Sequence, residues 1–227
     1  MQNTLNKNDK NIWTNKQEVL IEQLKLLPLI IVLRIRSEDF ENSLKKNKLF
    51  ELIQSLYYSG IRHIEIAWSP KPKWKEVMRE IKSDFKEVHL GASSITSKDA
   101  LNTVIELELP YAMSPVWDES IQSYAKNNNQ VLVPGVFSPT EINKASKFGY
   151  RLVKLFPASI LGSNYLKIIQ NPMNSLPFII AAGGLKVDDL NCWMENGCGA
   201  VILGGKLTKK EQANGLLNNW IKANKKY

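Results

Sequence analysis

Two charged residues sit in stretches where a chain rarely places a charge. Glu65 lies in Ile64-Glu65-Ile66-Ala67 and Lys154 in Leu152-Val153-Lys154-Leu155-Phe156. Burying either one without a partner costs several kcal/mol or shifts its pKa. Side chains alternate along a strand, so Lys154 points away from the side that Val153 and Leu155 take, and Glu65 away from Ile64 and Ile66. Two readings follow from this pattern. One is structural: a buried ion pair, or a lysine exposed at a strand end. The other is chemical: a desolvated lysine whose neutral amine attacks a carbonyl, beside a carboxyl group that moves protons.

Paired glycines follow two other apolar runs, at Ala182-Gly183-Gly184 and Leu203-Gly204-Gly205. Glycines there let backbone N–H groups approach an anion, and they also make tight turns. Lys206 adjoins the second pair, either as an added positive charge for an anion or as a solvated loop residue.

These residues need a scaffold, and the chain has the rhythm of one. Short apolar runs begin near residues 29, 61, 87, 110, 130, 150, 177 and 200, about 20–32 residues apart, the length of a strand-plus-helix unit. Most lack polar alternation, as expected of parallel strands covered on both faces. Caps and breakers predict helices over 38–58, 72–83, 98–108, 118–127, 139–148, 187–196 and 209–222. Ser37, Pro70 and Pro72, Thr96 and Ser97, Asp118, Ser138-Pro139, Val187-Asp188-Asp189 and Thr208 mark their starts. A further helix is predicted over 16–27, stopped by Pro28. Eight such units predict a (β/α)8 TIM barrel, with an open doubly wound sheet as the alternative. We expect residues 1–14 to form a flexible polar tail and 15–227 a single catalytic barrel domain that begins with the helix over 16–27.

Composition narrows the function classes. The 227 residues are 44% hydrophobic with a formal net charge of +8, which suits a globular protein with anionic partners. The basic residues are scattered and carry no nucleic-acid motif, so we expect no nucleic-acid partner. The apolar run near 26–33 is interrupted by Pro28 and ends at Arg34, short of the roughly 18 residues that a membrane helix needs. Met1–Asn11 has no apolar signal region. Cys192 and Cys198, with His63 and His89, complete no zinc motif. We therefore expect reduced thiols, a cytoplasmic protein, no membrane partner and no metal.

With these residues in view, the chain resembles the 2-keto-3-deoxy-6-phosphogluconate (KDPG) and 4-hydroxy-2-oxoglutarate (KHG) aldolase family. Val153-Lys154-Leu155-Phe156-Pro157-Ala158 is similar to the family's KxFPA signature, and Val133–Glu141 to its PGxxTPxE block. Val32-Leu33-Arg34, Gly60–Ile66, Gly91–Ile95, Ser114-Pro115, Gly183–Leu185 and Gly204-Gly205 follow in family order. The resemblance covers about residues 16–220.

It implies a class I aldolase, commonly a homotrimer, that needs no cofactor because the substrate forms a covalent Schiff base on Lys154. Glu65 falls on the general acid/base. Gly183, Gly184 and Gly205 fall on phosphate-binding turns, and Ser94, Pro115 and Phe156 on residues that touch the pyruvate part or line the site. The implied substrates are 2-oxo acids, cleaved to pyruvate and either glyceraldehyde 3-phosphate or glyoxylate. There are departures. Ser69 stands where the family has a carboxylate-gripping arginine, Ala181-Ala182 stands for Pro-Thr, and Lys206 stands for a serine. Arg34, Arg62 and Lys71 are the candidates to replace the missing arginine, and we count Arg34 and Lys206 with the substrate-binding residues. The loss also leaves room for an altered-specificity or non-catalytic barrel that binds phosphosugars or 2-oxo acids.

Overall fold

The computed structural model describes residues 7–35, 48–204 and 215–225. Among them, nine parallel strands form one sheet: β1 (Leu29–Leu33), β2 (His63–Ala67), β3 (His89–Ser93), β4 (Ala112–Met113), β5 (Leu132–Val133), β6 (Gly135–Val136), β7 (Leu152–Leu155), β8 (Phe178–Ala182) and β9 (Ala200–Leu203). Their order is β5-β4-β3-β2-β1-β9-β8-β7-β6. The two ends of that order are consecutive in the chain and separated only by Pro134. β5 pairs with β4, β6 pairs with β7, and the Lys154 amide donates to the Pro134 carbonyl at 2.9 Å. The fifth barrel strand is thus broken in two at a proline, which has no N–H to give a ladder, and the sheet closes into the expected (β/α)8 barrel.

Between the strands run α2 (Lys48–Tyr58), α3 (Lys73–Asp84), α4 (Lys98–Glu106), α5 (Glu119–Asn127), α6 (Pro139–Phe148), α7 (Ala158–Leu161), α8 (Tyr165–Met173) and α9 (Leu190–Glu195), and α10 (Leu216–Asn224) follows β9. Ser97, Asp118 and Ser138 cap their helices as expected, and Ser138 completes a reciprocal capping box with Glu141. The predicted helix over 187–196 opens as a 3-10 turn, Val187–Asp189. The predicted starts at Ser37 and Thr208 lie outside the described residues.

One expectation is corrected. Helix α1 (Lys7–Leu26) begins well before residue 16, so the flexible-tail reading does not hold from Lys7 onward; residues 1–6 lie outside the described residues. The cause is burial. Trp13 is 2% exposed, packs edge-on against Tyr150 at 5.0 Å, and donates its indole N–H to the Gln130 carbonyl at 3.1 Å. Gln17, fully buried, accepts from the Arg151 amide at 3.0 Å. Four residues apart on the same face, Leu20 and Leu24 join the apolar cluster inside the barrel and close one of its ends.

The core divides as strand alternation requires. Ile64, Ile66, Val153 and Leu155 pack outward under the helices. Ile30, Tyr111, Met113, Val131, Val133, Leu152, Ile180 and Ile202 fill the inside. Glu65 and Lys154 alternate with the outward set and therefore face the barrel axis.

Candidate active site

At the C-terminal ends of the strands lies a cavity of about 330 Å³. Arg34 follows β1, Ser93 ends β3 and Ser94 follows it, Pro115 follows β4, Lys154 sits on β7 with Phe156 just beyond it, and Gly183, Gly184 and Gly204 follow β8 and β9. Six of the expected substrate-binding residues (Arg34, Ser94, Pro115, Phe156, Gly183 and Gly184) therefore share one cavity with Lys154. Gly205 and Lys206 lie outside the described residues.

The local sequence explains this convergence. A Cβ on Gly135 would stand 2.2 Å from the Pro115 carbonyl carbon, so only glycine lets the Ser114–Val116 loop fold onto β6. The Ser114 hydroxyl holds that loop by accepting from the Val116 amide at 3.2 Å. Ser94 adopts a left-handed backbone, φ 64°, which is costly for a non-glycine residue and common where a scaffold over-determines a site. Gly183 has φ 97° and lies against the Phe156 ring, 2.9 Å from where its Cβ would be; Gly184, with φ 78°, leaves similar room for Ser159. Consecutive positive φ values after a strand turn the Gly183-Gly184 backbone over the cavity.

Lys154 is 7% exposed and Glu65 fully buried. Neither Glu65 oxygen has a hydrogen-bond partner, and no ion pair within 4.0 Å joins it to Lys154. Burial raises the Glu65 pKa from 4.5 to about 7, against the pull of the Lys154 charge. It also lowers the Lys154 pKa; the nearby Arg34 charge lowers it further, and Glu65 partly restores it. The ammonium nitrogen lies 5.1 Å from the Phe156 ring centroid, an apolar neighbour that keeps water from one side. Burial thus moves the proton affinities of this lysine and this carboxyl toward each other, as in sites where such a pair passes a proton.

Of the three candidates to replace the missing arginine, Arg34 alone lines the cavity among the described residues. Arg62 donates to the Tyr57 and Ile61 carbonyls and pairs with Glu87 at 3.2 Å, at the opposite end of β2. Lys71 does not line the cavity, and neither does Ser69, whose hydroxyl meets the Lys71 amide at 3.4 Å. Arg34 and Lys154 are the charged side chains of the described lining, so the cavity suits an anion.

Ser93 and Tyr111 had not been singled out. Ser93 lines the cavity with a buried, unpartnered hydroxyl, and Tyr111 is fully buried with an unpartnered hydroxyl. Alternation from Gly91 carries Ser93 inward, whereas nothing in the run Tyr111-Ala112-Met113 itself marks the tyrosine out. Cys192 is exposed and Cys198 buried, both as free thiols. No helix of the described residues is long and apolar enough to cross a membrane.

Comparison with known proteins adds an independent line. The family model described as KDPG and KHG aldolase matches residues 20–222. The 2-dehydro-3-deoxy-phosphogluconate aldolase of Treponema pallidum (strain Nichols) is 23% identical over 171 residues, 75% of each chain. The 2-dehydro-3-deoxy-6-phosphogalactonate aldolase of Escherichia coli (strain K12) is 23% identical over 188 residues, 82% of this chain and 87% of its own. Among solved structures, the KDPG aldolase of Legionella pneumophila, with pyruvate captured as a covalent carbinolamine, superposes with a TM-score of 0.70 at 19% identity, covering 96% of this chain and 98% of that one. The structural likeness bears on the fold.

Proposed function

The chain belongs to the KDPG and KHG aldolase family, and on that premise we propose that it is a Schiff-base aldolase that cleaves KDPG-type sugar-acid phosphates, 4-hydroxy-2-oxoglutarate, or both, releasing pyruvate. The observation that carries the reading is a buried amine that lines the cavity and a buried carboxyl that faces the same barrel axis, with burial drawing their pKa values toward each other.

The neutral Lys154 amine attacks C2 of the 2-oxo acid to give a carbinolamine, which loses water and leaves a protonated Schiff base. Glu65, as a carboxylate, takes the C4 hydroxyl proton through an intervening water. The C3–C4 bond then breaks, its electrons passing to the iminium nitrogen, and the aldehyde departs. Glu65 returns the proton to C3 of the enamine. Water hydrolyses the new Schiff base to pyruvate and free Lys154. The iminium is itself the electron sink, so this route calls for no bound cofactor. Arg34 holds the substrate carboxylate in place of the arginine absent at Ser69. The Gly183 and Gly184 amides take the phosphate, joined in this proposal by Gly205 and Lys206. Ser94, Pro115 and Phe156 enclose the three-carbon fragment.

Names among the relatives span gluconate-derived and galactonate-derived substrates, so both sugar-acid phosphates belong in the test. Each is supplied with lactate dehydrogenase and NADH, alongside 4-hydroxy-2-oxoglutarate. Pyruvate release from at least one supports the proposal. Tight binding of all three without pyruvate release would favour a binding protein instead. By resemblance we also propose a homotrimer, which light scattering on the purified protein would measure directly.

A further inference from the structure

Behind the Lys154–Glu65 pair, the barrel interior is unusually polar. Glu65, Ser93 and Tyr111 are all buried and all carry side-chain atoms with no hydrogen-bond partner: both Glu65 oxygens, and the Ser93 and Tyr111 hydroxyls. They come from β2, from β3 and from the residue just before β4, all on the inward face. Buried polar atoms in folded proteins are nearly always partnered, by protein or by ordered water. These side chains therefore have hydrogen-bonding capacity for ordered water inside the barrel.

Its geometry turns on Gly91. Gly91 is the register partner of Glu65 on β2, about 4.8 Å away across the sheet. A Cβ on Gly91 would lie 2.6 Å from two Tyr111 ring carbons and 3.1 Å from the Tyr111 hydroxyl oxygen. The phenol thus occupies the side-chain space that glycine leaves open, beside the strand position that carries Glu65. The glycine admits the ring, and the ring brings a hydroxyl to the rear of the carboxyl group.

We propose that Tyr111 is a positioning residue for Glu65, its phenol O–H donating through one internal water to the Glu65 carboxylate and making ionisation of that buried group possible. The proposal rests on the aldolase reading for its meaning in turnover. Its physical content, a hydroxyl that sets the ionisation of Glu65, does not depend on the substrate.

The surrounding groups support the direction. Lys154 on β7 is the cation that faces Glu65, and Arg34 beyond β1 acts on Lys154. From β3, Ser93 offers a neutral hydroxyl. His63, on β2 itself, has its pKa pushed down to about 3 by burial and by His89, whose ring lies 4.8 Å away, against a backbone hydrogen bond at Gln23, so it stays neutral at working pH. Burial and the Glu65 charge hold the Tyr111 phenol well above its usual pKa, as an O–H donor. With Lys154 on the substrate side and neutral groups behind, Tyr111 is the phenol coupled to the carboxylate.

The test removes one oxygen. Tyr111→Phe keeps the ring over Gly91, so packing and folding are preserved. Two readouts are followed against pH. The first is the carboxyl band in difference infrared spectra that Glu65→Gln abolishes, which reports Glu65 ionisation without substrate. The second is the acid limb of kcat/KM for pyruvate release. The proposal expects both midpoints to move up by about one to two units, the size that a hydrogen bond to a charged group supports. An infrared midpoint that stays put or falls overturns it. If the native protein releases no pyruvate at all, the aldolase reading fails, and the infrared titration still decides the role of Tyr111.

Discussion

Glu65 is the residue on which chemistry and stability conflict. Its folded pKa of about 7 stands above the ordinary 4.5. A raised carboxyl pKa means that the folded state holds its proton longer than the unfolded one. The contribution of this group is fully present below pH 4.5 and is lost as pH rises through about 7. Glu65→Gln should therefore gain stability relative to the native protein by about 3 kcal/mol between about pH 4 and about pH 8, measured by urea unfolding at each pH. Pyruvate release should fall about 10²–10⁴-fold in the same variant, the usual worth of general acid–base catalysis. Arg34 has the opposite profile, exposed and at the rim. Arg34→Ala should raise KM by about tenfold or more and change kcat little, as loss of uniform carboxylate binding does; an unchanged KM would leave the missing arginine unreplaced by Arg34.

Both charges of the pair were legible in the sequence because each interrupts an apolar strand, and strand alternation alone turned them inward. Tyr111 was not, because its meaning depends on a glycine in the neighbouring strand, and cross-strand register is invisible in one chain read end to end. Arg62 and Lys71 could not be separated from Arg34 by sequence either. Arg62 precedes β2 and so falls at the far end of the barrel, which only the strand's placement reveals.

At the scale of elements, the strand rhythm was readable because parallel barrel strands are continuous apolar runs, and the helices with side-chain caps were readable from those caps. The Ser138–Glu141 capping box and Pro139 at the first helical turn make α6 an example. The segment between β7 and β8 showed no cap, and there the chain makes two short helices, α7 and α8, neither with a side-chain cap, and α8 contains Pro172. The start of α1 was missed because its first residues are polar; Trp13 was the signal, an aromatic residue in a stretch read as tail. This helix closes the barrel end opposite the cavity, so its inner face should be worth as much as any strand. Leu24→Ala should cost about 2–5 kcal/mol in urea unfolding, the range for a leucine removed from a packed core. A cost under about 1 kcal/mol would mean that α1 only rests on the barrel.

For the whole molecule, the charge of +8 and a cavity whose described lining holds Arg34 and Lys154 but no carboxylate act together. Substrates with a carboxylate and a phosphate should be drawn in from a distance. Raising salt from about 0.02 M to about 0.5 M should lower kcat/KM several-fold for the phosphorylated substrate, and less for a substrate without phosphate. Equal loss for both would place the salt effect elsewhere than substrate capture.

The reaction requires a Lys154 amine dry enough to condense with a ketone. Incubation with pyruvate and borohydride, followed by peptide mass mapping, tests it most directly. One reduced pyruvate adduct is expected on the peptide that contains Lys154, absent from Lys154→Ala, with pyruvate release abolished in that variant. A protein that is not labelled, or labelled equally well in the variant, would contradict it.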